Sequence, residues 1–219
     1  LPRRGAAHGA LKHNGRRKPT PGIKMTAPTK RPSPVLVLGP AHSGKSEFAH
    51  QLLLPDTAAV VIGTSAVKDR QTTLRIKSLN ALRPPAWEIL ETSTDVAAAA
   101  TAALARAPQV LIDSVNLWLA SLVVEHGDKV ENGTADDAGY AGTVEEQVLT
   151  QVDELCRLAA TAKGQRLVIV SAELGGAPPP SRPAERLLRR LVGLANQRLA
   201  RAARTVYTLQ AGIPQLLKE

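Results

Sequence analysis

Val35-Leu36-Val37-Leu38-Gly39-Pro40-Ala41-His42-Ser43-Gly44-Lys45-Ser46 is the most informative stretch of the chain. Four consecutive apolar residues read as a short buried strand of the parallel kind. The glycines that follow let the backbone approach an anion and aim successive N–H groups at it. A helical run opens at Lys45 and adds its positive end. Gly-x4-Gly-Lys-Ser is the P-loop pattern, in which the lysine is a point charge for phosphate and the serine hydroxyl can ligate Mg²⁺. The candidate nucleotide-contacting residues are therefore Gly39, Pro40, Ala41, His42, Ser43, Gly44, Lys45 and Ser46. The helix is expected to run to about Leu54, where Pro55 closes it.

Outward from this stretch, apolar runs alternate with helical patterns. Strands are expected at Ala59–Ile62, Trp87–Glu91, Val110–Ile112, Leu167–Val170 and Val206–Leu209. Helices are expected over 66–82, Asp95–Ala107, Asn116–Glu125 and Ala184–Ala203. Residues Gly127–Gly142 are rich in Gly and Asp and read as a mobile loop. Thr143-Val144-Glu145-Glu146 fits a capping box that starts a helix to about Lys163. Leu174–Pro183, with Gly or Pro at six of ten positions, reads as irregular. Gly212-Ile213-Pro214 reads as a turn into a short last segment. This alternation implies an α/β fold, a P-loop NTPase-like three-layer sandwich with helices on both faces of a mostly parallel central sheet. In such a sheet, ligands sit at the carboxyl ends of the strands, and Gly39, Gly63, Asp113 and Glu173 fall at or just after predicted strand ends.

The chain has 219 residues and a net charge of +9, but the charge is not spread over the fold. Residues 1–34 carry nine Lys or Arg and no Asp or Glu, which leaves 19 basic and 19 acidic side chains in 35–219. The neutral remainder gives no electrostatic case for nucleic acid. The first methionine is Met25, so the native start is expected there, with 1–34 a basic, disordered leader; an organelle-targeting segment is the other reading. Residues 35–219 read as a single nucleotide-binding kinase domain. No apolar run approaches the roughly 18 residues of a membrane span. The only cysteine, Cys156, excludes an internal disulfide and suits a reducing, cytoplasmic setting, with a buried structural thiol in a helical pattern.

Asp113 closes an apolar strand, the Walker-B arrangement, and reads as a second metal partner beside Ser46. Glu173 follows the strand Leu167–Val170 and precedes a Gly- and Pro-rich loop. It could orient an acceptor hydroxyl or help to hold metal, and it could equally be a solvated loop acid. Position alone leaves both open.

Further pieces follow in a fixed order: Ile62-Gly63-Thr64-Ser65; Asp69, Arg75-Ile76, Arg83, Trp87 and Glu91; Asp113-Ser114-Val115-Asn116-Leu117-Trp118-Leu119; Ser171-Ala172-Glu173-Leu174-Gly175; Asn196-Gln197-Arg198-Leu199-Ala200; and Ala211-Gly212-Ile213-Pro214. With the P-loop, this set resembles the adenosylcobinamide kinase / adenosylcobinamide-phosphate guanylyltransferase family of cobalamin biosynthesis, over residue 35 to about residue 218. The resemblance implies phosphorylation of the adenosylcobinamide hydroxyl with ATP or GTP and Mg²⁺. It also implies transfer of GMP to the resulting phosphate through a histidine. It carries over Lys45, Asp113 and Glu173 as catalytic residues, with Ser46 and Asp113 as metal ligands. Gly63, Thr64, Ser65, Arg83 and Glu91 are carried over as nucleotide-site or substrate-site residues. Partners implied are nucleotide and corrinoid small molecules, and a symmetric homo-oligomer, a trimer.

The chain departs from the family pattern at two places. The acceptor histidine position, three residues after Arg75, is Ser78, and no histidine lies between residues 51 and 125. A serine alkoxide is a far worse leaving group than imidazole, so GMP transfer by the histidine route is expected to be absent or severely reduced. Before Asn196, an acidic family position is Arg190 and a basic one is Leu194. Two other readings stay open: a P-loop kinase or NTPase for another small molecule, and a catalytically idle nucleotide-binding subunit.

Overall fold

In a computed structural model of the chain, the residues described are 33–65, 83–125, 137–162, 164–176 and 178–219. Residues 1–32 of the leader, the helix expected over 66–82 and Ser78 lie outside them. The strands are β1 (Val35–Leu38), β2 (Ala59–Gly63), β3 (Trp87–Glu91), β4 (Gln109–Asp113), β5 (Arg166–Val170), β6 (Thr205–Gln210) and β7 (Ile213–Lys218). The helices are α1 (Lys45–Gln51), α2 (Val96–Arg106), α3 (Val115–Glu125), α4 (Asp137–Thr161) and α5 (Pro183–Ala202).

The strands form one sheet in the order β3-β2-β4-β5-β1-β6-β7, parallel throughout except for the antiparallel β6–β7 pair. Alternation along each strand divides the core into two layers. Leu36, Val60, Ile62, Val110, Ile112, Leu167 and Ile169 face a cluster that includes buried side chains of α2, α3, α4 and α5. Val35, Val37, Val61, Leu111, Val168 and Val170 face the other cluster, built on Phe48, Ala49, Leu52 and Leu53 of α1 and the segment after it. Continuous apolar runs such as Val35–Leu38 arise because parallel strands are buried on both faces.

Three sequence expectations are corrected. The helix placed from a capping box at Thr143 begins six residues earlier, at Asp137, so Thr143 is interior and the tail of the expected loop is helical. Val144, Val148, Val152 and Leu155 form the buried stripe of this helix. Once that stripe is packed, adding turns at the end is propagation rather than nucleation, so the Gly- and Asp-rich start costs little. Next, the chain reverses at Ala211-Gly212, both with positive φ (51° and 81°), and Gln210 pairs with Ile213. That is a two-residue hairpin, and Ile213 and Pro214 already belong to β7. Pro214 is tolerated because β7 is an edge strand. Lastly, α1 stops at Gln51 rather than near Leu54.

Candidate active site

The carboxyl ends of β2, β3, β4 and β5 lie level. Gly63 pairs with Glu91 on one side and with Asp113 on the other, and Asp113 pairs with Val170. Val170 in turn pairs with Val37, just before the P-loop. β5 therefore separates the P-loop strand from the strand that ends in Asp113, and α1 closes the gap. The Ser46 hydroxyl donates to Asp113 Oδ1 at 3.1 Å. Lys45 is buried and donates from Nζ to the Pro40 carbonyl at 2.7 Å, within its own loop.

A cavity of about 220 Å³ opens here. Of the residues expected in the site, Ala41, His42, Lys45, Ser46, Gly63, Thr64, Ser65, Arg83, Glu91 and Asp113 line it. Gly39, Pro40, Ser43 and Gly44 form the loop without lining the cavity. Gly39 is packed against Leu209 of β6, Gly44 is the left-handed residue before α1 (φ 89°), and Ser43 is buried. The Gly212 N–H donates to the Ser43 carbonyl at 3.0 Å, so the β6–β7 hairpin braces the loop from behind. This gives the Ala211-Gly212-Ile213-Pro214 piece a mechanical role that local sequence reading did not supply.

Thr64 is fully buried, and its hydroxyl is committed to the backbone. It donates to the Ser114 carbonyl at 2.6 Å and accepts from the Ser114 N–H at 2.9 Å. The pair ties the end of β2 to the segment after Asp113. Glu173 stands apart. Val170, Ala172 and Leu174 line the cavity, so by alternation Glu173 turns away, toward α5. It is exposed and lies in a separate groove with Arg186, Arg189 and Asn196, and Asn196 Nδ2 is 3.4 Å from Glu173 Oε1. Its backbone N–H still bonds the Gly39 carbonyl at 2.9 Å, so the main chain touches the loop while the carboxylate does not face the cavity.

Sequence reading missed Asn116 and Leu117, which enter the cavity from the first turn of α3, and Ile89 and Leu174, which give it an apolar wall. Their proximity to Asp113 was the available signal for the first two. It also missed His50, whose Nε2 lies 3.2 Å from Arg83 Nη2. Burial, and then the Arg83 charge, lower the His50 pKa from 6.5 to about 4. Burial lowers that of Arg83 as well, against the opposing pull of the Asp113 carboxylate.

The Ser46 hydroxyl and Asp113 carboxylate offer two hard oxygen donors beside a phosphate loop. Among the described residues no group of three or more His, Cys, Asp or Glu could hold a metal ion. Two protein oxygens fit Mg²⁺, which keeps waters and takes phosphate oxygens instead of a full protein cage.

The sequence pattern of the family described as cobinamide kinase / cobinamide phosphate guanyltransferase matches residues 35–217. The chain belongs to this family. Two curated members are similar to it, both bifunctional adenosylcobalamin biosynthesis proteins. The one from Salmonella typhimurium is 27% identical over 184 residues, covering 84% of this chain and 99% of the relative. The one from Escherichia coli is 28% identical over 185 residues, with the same coverages of 84% and 99%. Among solved structures, the flagellar accessory protein FlaH of Methanocaldococcus jannaschii aligns with a TM-score of 0.44 at 11% identity, covering 84% of this chain and 77% of that one. As a member of the cobinamide kinase family, the chain is a nucleotide-using enzyme of cobalamin biosynthesis. No helix among the described residues is long and apolar enough to cross a membrane.

Proposed function

We propose that residues 35–219 form one kinase domain that transfers the γ-phosphoryl group of ATP or GTP to the hydroxyl of adenosylcobinamide. GMP transfer by the histidine route is absent or severely reduced. The observation that carries the first part is the convergence of Lys45, Ser46, Asp113 and Arg83 on one cavity at the strand ends, with Ser46 and Asp113 3.1 Å apart. Lys45 and Arg83 supply positive charge for the nucleotide phosphates. Ser46 and Asp113 would hold Mg²⁺, which when bound offsets charge on the phosphate oxygens. Glu91 and Asn116 offer polar groups on the wall for the acceptor, and Ile89, Leu117 and Leu174 exclude water from it. Glu173 acts, in this reading, on the neighbouring groove rather than at the transferred phosphoryl.

The second part rests on Ser78 standing at the acceptor position. The homo-oligomer, a trimer, comes from the family resemblance.

The test is a paired assay with adenosylcobinamide, Mg²⁺ and GTP labelled at either phosphorus. Label from the γ position is expected in product, and Asp113→Asn should reduce it at least a hundredfold, as expected when a metal-holding carboxylate is lost. Label from the α position is expected on neither protein nor product. A covalent GMP adduct would overturn the second part, and absence of γ transfer would overturn the first.

A further inference from the structure

His50 and Arg83 reach each other from different parts of the fold. His50 lies on α1, five residues beyond Lys45, and Arg83 lies on the segment entering β3. Arg83 Nη2 is 3.2 Å from His50 Nε2. A guanidinium has no acceptor, so Arg83 donates, Nε2 accepts, and the ring proton sits on Nδ1. The Trp87 ring packs beside the imidazole, centroid to centroid 5.9 Å at 48°, and limits its rotation. With its pKa near 4, His50 is neutral at neutral pH and keeps this lone pair available. Arg83 itself lines the cavity with Lys45, Ser46 and Asp113, and its Nε is buried with no hydrogen-bond partner among the described residues. A buried N–H without an acceptor is destabilising. Beside a phosphate loop, a ligand phosphate oxygen would satisfy it.

We propose that His50 is the positioning residue that aims Arg83 at a phosphate oxygen of the nucleotide in the cavity. A neutral acceptor fixes the guanidinium without neutralising it, so the charge stays available to the phosphate. This rests on the kinase reading above, in which Arg83 already meets the nucleotide phosphates, and adds to it His50, which lies outside the P-loop and outside the family pieces quoted from the sequence.

The experiment is calorimetric titration of ATP with Mg²⁺ into wild type, His50→Leu, His50→Gln, Arg83→Met and the His50→Leu/Arg83→Met double variant. Steady-state phosphoryl transfer and melting temperature are read in parallel. His50→Leu and Arg83→Met should each weaken binding about tenfold, the scale of a hydrogen bond to a charged group. The double variant should bind no more weakly than Arg83→Met, because both lesions remove one interaction. His50→Gln, whose amide oxygen can still accept from the guanidinium, should recover most of the affinity. His50→Leu should melt within a few degrees of wild type, which a purely structural role does not predict alongside the loss of binding. His50→Ala carries the same comparison if leucine disturbs the packing beside Trp87. Full affinity in His50→Leu or in Arg83→Met, or additive losses in the double variant, overturns the inference alone. Failure of wild type to bind nucleotide overturns the kinase reading and the inference with it.

Discussion

Gly39→Ala tests how tightly the phosphate loop is built into the sheet. Gly39 follows β1 directly and has φ +148°, a backbone that side chains with a Cβ rarely adopt. A Cβ built there would lie 2.6 Å from the Leu209 carbonyl oxygen and 2.8 Å from Ser43 Oγ. The serine hydroxyl could rotate away. The carbonyl belongs to β6, which is laddered to β1 on one side and β7 on the other, and cannot retreat without moving a strand. The conformational part costs roughly 1–2 kcal/mol and the overpacking roughly 1–3 kcal/mol. The sum, roughly 2–5 kcal/mol, is a large part of the stability of an ordinary domain. Gly193→Ala is the paired control. It lies within α5, with nothing within 4 Å of the added carbon, and should stabilise by about 0.5–1 kcal/mol. Urea unfolding of both variants, with the slope compared to show that the transition is unchanged, gives the two differences directly. If Gly39→Ala unfolds within about 0.5 kcal/mol of wild type, the close approach of the loop to β6 is not a real constraint and the reasoning fails.

Two further predictions concern stability. The unfolded His50 titrates near 6.5 and the folded one at about 4, so the unfolded chain takes up the proton first. Protonating the buried ring costs at most on the order of 3 kcal/mol, so stability is undiminished above pH 6.5 and falls as pH drops toward 4. Melting temperature against pH should show this acid limb in wild type and a flatter one in His50→Leu; identical limbs would exclude His50 as its source. Gln109 is 2% exposed, accepts from the Leu54 N–H at 2.7 Å, and donates to the Leu54 and Thr57 carbonyls at 3.0 and 3.1 Å. Gln109→Leu keeps the volume and strands the Leu54 N–H, whereas the Leu54 carbonyl keeps the Thr57 N–H and the Thr57 carbonyl keeps Trp87 Nε1, so the cost is about 1–3 kcal/mol in urea unfolding; an unchanged midpoint would mean that water replaces the lost bonds.

Much of the fold was legible because its signals are local. The P-loop glycines, the unbroken apolar runs of Val35–Leu38 and Leu167–Val170, and Asp113 at a strand end each announce themselves within a few residues. Errors came where packing overrode local preference. The stripe from Val144 to Leu155 carried a helix back through a glycine-containing turn, and a hairpin with positive φ at Ala211 moved the last turn.

Short-range patterns suffice to show that a phosphate loop stands between a strand and a helix, that a carboxylate waits at the end of another strand, and which family the chain resembles. Which of these groups meet depends on long-range packing. Strand order is a matter of long-range pairing, so nothing local says that β5 lies between β1 and β4 and that Ser46 nevertheless reaches Asp113. Side-chain parity along β5 and beyond, set by its register with both neighbours, turned Glu173 out of the cavity while admitting Ala172 and Leu174. The contact of His50 with Arg83 joins residues 33 positions apart, across a gap that only the packing of α1 against the sheet closes.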